Sequence, residues 1–128
     1  MMTIIYSWPV SQDDLDTGTK FLSCTVGYHW LSLCPYMTWN GDDTGSGPET
    51  AYVDLESAFN NGMWTGSTSI SLYADWYSLS DGSGPATVTV SYLGDTQVKT
   101  ISPNTSSVGA TTLVGNVSVD DVGIFTLT

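Results

Sequence analysis

Apolar and small polar residues alternate along two stretches of the chain. Ile70, Leu72, Ala74 and Trp76 interleave with Ser69, Ser71, Tyr73 and Asp75, and Ala86, Val88, Val90 and Tyr92 interleave with Thr87, Thr89 and Ser91. A period of two places each set on one side of an extended chain, which predicts two strands with one buried face each. Asp81-Gly82-Ser83-Gly84-Pro85 between them has the residues of a turn, so the pair is expected to close as an antiparallel hairpin. Further strands are expected over Thr3–Trp8, Phe21–Tyr28, Leu31–Trp39, Ala51–Leu55, Thr96–Ile101, Thr111–Val119 and Gly123–Leu127. Turn-rich segments at Asp13–Gly18, Asn40–Pro48, Asn60–Ser67, Ser80–Pro85 and Pro103–Gly109 separate them. One short helix is predicted, because Asp54 offers an N-cap carboxylate before Leu55-Glu56-Ser57-Ala58-Phe59 and Asn60-Asn61-Gly62 ends it. Leu55, Ala58 and Phe59 would then close an opening between the sheets.

About eight or nine short strands, with no internal repeat and no linker, predict a single all-β domain over residues 1–128. Its expected form is an antiparallel two-sheet sandwich, jelly-roll-like, with one short helix. Residues 1–9 read either as an arm or as an edge strand of that sandwich. Composition agrees: 17 Ser and 18 Thr stand among 128 residues with 13 Gly, and hydroxylic and β-branched residues favour strands and turns over helix. Hydrophobic residues at 41% and aromatics at 12% suffice for a packed core.

Charge narrows the partners. Thirteen acidic residues face only Lys20 and Lys99, for a net charge of -11 and no arginine. Such a surface repels its own copies, nucleic acid and anionic membranes, so no nucleic-acid or membrane partner is expected. A partner should be neutral or basic, or held by apolar contact. No apolar run approaches the roughly 20 residues that span a bilayer, and Met1–Pro9 has no basic segment of the kind that opens an export signal. The chain is therefore expected to be made in a reducing cytosol, where Cys24 and Cys34 would stay as two buried thiols. They flank the bend presumed at Tyr28–Trp30, which would also set them opposite each other for a cross-strand disulfide.

Material for catalysis is thin, and no enzyme activity or cofactor is expected. His29 is the single imidazole, between Tyr28 and Trp30, and reads as a turn or core-edge residue. There is no G-x-S-x-G signature. Glu49 and Glu56 are the one pair available for glycosidase chemistry, although Glu56 has a helix-dipole reason for its position. Asn40-x-Asp42-x-Thr44-Gly45 imitates the start of a calcium loop, but Ala51 occupies the twelfth position, so only a looser site on Asp42 and Asp43 is a candidate. Asp13-Asp14-Leu15-Asp16 is a similar acidic bend, and for both the simpler reading is a solvated loop. Two cysteines and one histidine make no zinc finger. Among the tryptophans at 8, 30, 39, 64 and 76, Trp76 is buried by parity and Trp39 ends a strand. Trp64, between Gly62 and Gly66, is the one placed for exposure and is the candidate glycan contact. A role in the core or at a subunit interface competes with it.

Over Tyr52-Val53-Asp54-Leu55, Ser71–Tyr77 and Gly84–Val90, about a third of the chain, the sequence resembles small β-sandwich virion proteins of tailed bacteriophages. The same stretch is similar to carbohydrate-binding jelly rolls, in which a comparable element precedes a Trp- or Tyr-bearing strand. The first resemblance implies a capsid decoration (cement) protein or a tail module, made in the host cytoplasm and residing in the virion. Its partner would be the major capsid or tail protein, and it would form homo-oligomers on the particle. A composition of exported type without a means of export points the same way. The apolar residues Ile4, Ile5, Tyr6 and Trp8 of the first nine are then the expected partner-binding anchors. The alternative is a tail-associated or receptor-binding module that recognises surface carbohydrate through Trp64.

Overall fold

The computed structural model describes residues 1–9, 13–28, 30–31, 33–41, 48–78, 85–105 and 112–128. Along them run β1 (Met2–Ser7), β2 (Asp14–Phe21), β3 (Cys24–Gly27), β4 (Trp30–Leu31), β5 (Met37–Trp39), β6 (Glu49–Val53), α1 (Leu55–Asn60), β7 (Ser67–Ser78), β8 (Ala86–Tyr92), β9 (Asp95–Ile101), β10 (Asn104–Thr105), β11 (Leu113–Asp120) and β12 (Phe125–Leu127). Five strands form one sheet in the order β5-β6-β1-β8-β9. Seven form the other, in the order β12-β11-β7-β2-β3-β4 with β10 beside β7. The two sheets pack against each other as the expected all-β sandwich, with one short helix. The chain passes between the sheets repeatedly, and β2–β3, β5–β6, β8–β9 and β11–β12 pair as neighbours within a sheet.

Alternation decides which side of each strand is buried. Met2, Ile4 and Tyr6 of β1, Val88 and Val90 of β8, Ile70, Leu72, Ala74 and Trp76 of β7, and Val117 and Val119 of β11 all point into one core. At roughly 1.5–3 kcal/mol for each large apolar side chain buried, this interior is the main source of stability.

The structure corrects several expectations. β7 and β8 do not form a hairpin but lie in different sheets, β7 between β2 and β11 and β8 between β1 and β9. Both arrangements turn the two apolar faces toward one core, so alternation alone does not choose between pairing side by side and packing face to face. Asp13–Gly18 is not a turn. Asp14 onward forms β2, whose residues Leu15, Thr19 and Phe21 lie opposite Trp76, Leu72 and Ile70 of β7. The break falls later, at Leu22 and Ser23, both with positive φ.

The stretch Leu31–Trp39 divides in the same way, with β4 beside β3 and β5 beside β6 in the opposite sheet. Cys24 and Cys34 are joined by a disulfide at this crossing, contrary to the thiols expected of a reducing compartment. The β3–β4 hairpin explains it, since it brings the two Cα atoms to 5.8 Å.

Residues 1–9 are neither an arm nor an edge strand. β1 is the middle strand of its sheet, with Thr3–Ser7 paired to β8 and Met2–Tyr6 paired to β6.

A polar seam crosses the core where β1 and β6 face β2. The Tyr6 hydroxyl lies 2.9 Å from Thr19 Oγ1 and donates to Gly18 O at 3.2 Å, and Thr17 Oγ1 donates to the buried Glu49 carboxylate at 2.7 Å. Burial raises the Tyr6 phenol well above its ordinary value near 10. Tyr92 is pushed up to about 12, first by burial and then by Glu56. A phenol that holds its proton more tightly when folded contributes stability that is complete below the unfolded value and is lost as pH rises through the folded one. Alkaline titration is therefore expected to destabilise the fold from about pH 10 upward. Tyrosinate absorbance from these two residues should appear only as near-ultraviolet dichroism disappears. Ionisation of Tyr6 and Tyr92 near pH 10 with the fold intact would contradict this.

Candidate functional site

One end of the sandwich gathers α1, the β8–β9 turn and the β11–β12 turn. Asp54 starts α1 by accepting from the Ser57 backbone N–H at 3.1 Å, as the sequence predicts, and Leu55 and Ala58 are buried beneath it. Phe59 points outward and meets Trp64 edge to face, with ring centroids 4.9 Å apart. Trp64 Nε1 donates to Leu55 O at 3.2 Å, and the Tyr92 hydroxyl donates to Glu56 Oε1 at 2.9 Å. These rings wall a cleft of about 170 Å³, completed by Glu56, Asp120 and Asp121.

The turns beside the cleft display apolar side chains at a local cost. Leu93 and Gly94 both have positive φ, at 49° and 82°, in the two-residue turn between Tyr92 and Asp95. Such hairpin turns favour Asn or Gly first, because a Cβ in that conformation costs roughly 1–2 kcal/mol. Leu93 is nevertheless there, with 68% of its surface exposed. Gly123 makes room for it, since a Cβ at that position would lie 2.5 Å from Leu93 Cδ1. In the neighbouring turn, Asp120 Oδ1 accepts from the N–H groups of Val122 and Ile124 at 3.1 and 2.9 Å. The loop is thereby fixed while Val122 and Ile124 are 73% and 67% exposed. Leu93, Val122 and Ile124 thus stand exposed on these two turns as an apolar tip, and Glu56, Asp120 and Asp121 line the adjoining cleft.

A second surface differs in kind. On the outer side of the five-stranded sheet, β1 presents Thr3, Ile5 and Ser7, β8 presents Thr87, Thr89 and Ser91, and β9 presents Thr96, Val98 and Thr100. Thr38, Thr50 and Tyr52 continue the face on β5 and β6, where Thr50, opposite Ile5, is buried. None of these side chains carries a charge at neutral pH.

The sequence-predicted candidates fall elsewhere. Ile4, Tyr6 and Trp8 are buried in the core and Ile5 is half-buried in the middle of a sheet, so they are not free anchors. Trp8 Nε1 donates inward, to Asp13 O at 2.9 Å. Trp64 is half-buried rather than openly exposed, because its indole fills the space behind Phe59. Asp42, Asp43 and His29 lie outside the described residues, and no group of three metal-ligating side chains occurs among the described ones. Asp13, Asp14 and Asp16 are buried, not a solvated bend.

Glu49 and Glu56 do not converge. Glu49 pairs with Tyr6, and Glu56 sits beside the amino end of β1. Five strand residues at about 3.4 Å each put them roughly 17 Å apart, beyond the span of a glycosidase pair. Sequence reasoning missed Leu93, Val122 and Ile124, although apolar residues beside glycine in otherwise polar turns were the available signal. No family model, curated protein or solved structure matches the chain.

Proposed function

We propose that the protein is a structural accessory component of a phage virion, a capsid decoration or cement protein that binds and stabilises the assembled shell. The observation that carries this reading is Leu93, an exposed apolar residue kept in a strained turn at the tip of a rigid end. Neither local stability nor solvation favours it there, and such outliers concentrate where a surface is used. The surrounding carboxylates suit a partner that is basic around an apolar centre. The resemblance over Tyr52–Leu55, Ser71–Tyr77 and Gly84–Val90 supplies the class of assembly. A subunit that binds only the assembled lattice stabilises it by mass action, by about 2.7 kcal/mol per site at a hundredfold excess over Kd. Purified particles should carry the protein in a fixed copy ratio to the major shell protein and take it up from solution until that ratio is reached. Particles that bind none would overturn the reading.

A second reading, a tail-associated or receptor-binding module for surface carbohydrate, is favoured by the Trp64 cleft. An indole held by a hydrogen bond beside Phe59 and three carboxylates offers both a stacking face and acceptors for sugar hydroxyls. Titration with a polysaccharide panel should then shift tryptophan fluorescence in the wild type and not in Trp64→Ala. A flat response across the panel speaks for the shell-binding role alone.

A further inference from the structure

We propose that the uncharged outer face of the five-stranded sheet is a self-association surface, through which two copies pack sheet to sheet about a two-fold axis. This goes beyond shell binding and does not depend on what the loop end holds.

Charge gives the first argument. A molecule of net charge -11 has few surfaces on which a second copy can settle without carboxylates opposing carboxylates. Among the described residues the outward positions of β1, β8 and β9 carry none: Asp54 and Glu56 lie outside these strands, and Asp95, the first residue of β9, is on the other side of the strand from Thr96, Val98 and Thr100. Chemistry gives the second. A two-fold contact sets a surface against itself, so its groups must be complementary to themselves. Hydroxyls meet that condition because each both donates and accepts, whereas carboxylates only accept at neutral pH. The face is already ordered for such a role. Ser7 and Thr87 hydroxyls lie 2.9 Å apart, and those of Ser91 and Thr96 3.1 Å apart. Ile5, Thr89 and Val98 form one row across three adjacent strands, with an apolar residue on each side of Thr89.

Size sets the strength. Five strands at about 4.8 Å spacing and six residues at about 3.4 Å give roughly 480 Å² per copy. Two copies would bury about 1,000 Å², at the low end for specific interfaces. The contact should therefore be weak in solution, with a dissociation constant on the order of 0.1 mM, and should matter where copies are concentrated together.

Sedimentation equilibrium of the full chain tests this. The weight-average mass should rise toward a dimer between about 10 µM and 1 mM protein, and more steeply in 0.5 M than in 0.02 M NaCl, since salt screens the like charges that oppose approach. Val98 is 64% exposed on an edge strand, so V98E should fold normally and weaken the association at least tenfold. T89E, at the centre of the row, should do so more strongly. L93N, on the loop end, should leave it unchanged. A mass that stays monomeric to 1 mM in 0.5 M NaCl would overturn the proposal, and so would an association that V98E does not weaken. Neither result bears on attachment to particles, which is measured separately.

Discussion

Removal of residues 1–9 is expected to abolish folding, not to release a soluble domain. β1 is the central strand of the five-stranded sheet, so its loss strips pairing from both β6 and β8 and leaves their facing edges open. It also withdraws Met2, Ile4, Tyr6 and Trp8, all buried, from a core that has nothing else to fill the space. Single truncations of such side chains cost about 2–5 kcal/mol each, and a domain of this size has only about 5–15 kcal/mol of net stability. Removing four at once costs about 8–20 kcal/mol on the same scale, enough to consume that margin once the lost ladder hydrogen bonds are added. The Tyr6 hydroxyl adds to the loss, since Thr19 is left buried without that partner. Circular dichroism and amide-proton dispersion of the truncated chain give the answer. A folded truncated domain would mean that β1 is dispensable and would restore the idea of an attachment arm.

The error corrected there shows what was legible in the chain. Parity reported burial well: Ile70, Leu72, Ala74 and Trp76 all face inward, and the Asp54-capped helix lies where its signals place it. Parity did not report partners, because an apolar strip is satisfied equally by a neighbour in its own sheet or by the opposite sheet. Alternation alone therefore predicts β7 and β8 as a hairpin and leaves Thr3–Trp8 peripheral, although its alternation is as regular as theirs. β2 was hidden by composition. Aspartates and a glycine signal a turn locally, but pairing with β7 over Leu15–Phe21 overrides that preference. The disulfide was misjudged by compartment, not by geometry, since the bend at Tyr28–Trp30 already put Cys24 and Cys34 opposite each other. The candidate site was least legible. The flanking glycines predict an exposed Trp64, but its contact with Phe59 and bond to Leu55, which half-bury it, depend on how α1 closes the sandwich end. Only the folded turns bring Leu93 beside Gly123.

Leu93→Asn is expected to move stability and attachment in opposite directions. Asparagine tolerates positive φ better than leucine and suits the first position of this hairpin turn, so the substitution relieves strain worth about 1 kcal/mol and raises Tm by a few degrees. It buries no polar group, because the site is 68% exposed. In the complex the same change removes the apolar tip. A central anchor of a docking surface contributes about 2 kcal/mol or more, which corresponds to a loss of roughly 30-fold in affinity for the particle. Thermal unfolding and copy number per particle are measured on the same preparation, and the informative outcome is their opposite sign. A variant that is less stable and attaches less would show only that the turn had been damaged. One that is more stable and attaches as well as the wild type would remove Leu93 from the interface, leaving its strained conformation without a purpose. Ile124→Asn provides an independent check, because its backbone N–H is already held by Asp120 whatever the side chain. Attachment should fall again, this time with stability nearly unchanged, since the side chain that is lost lies mostly in solvent.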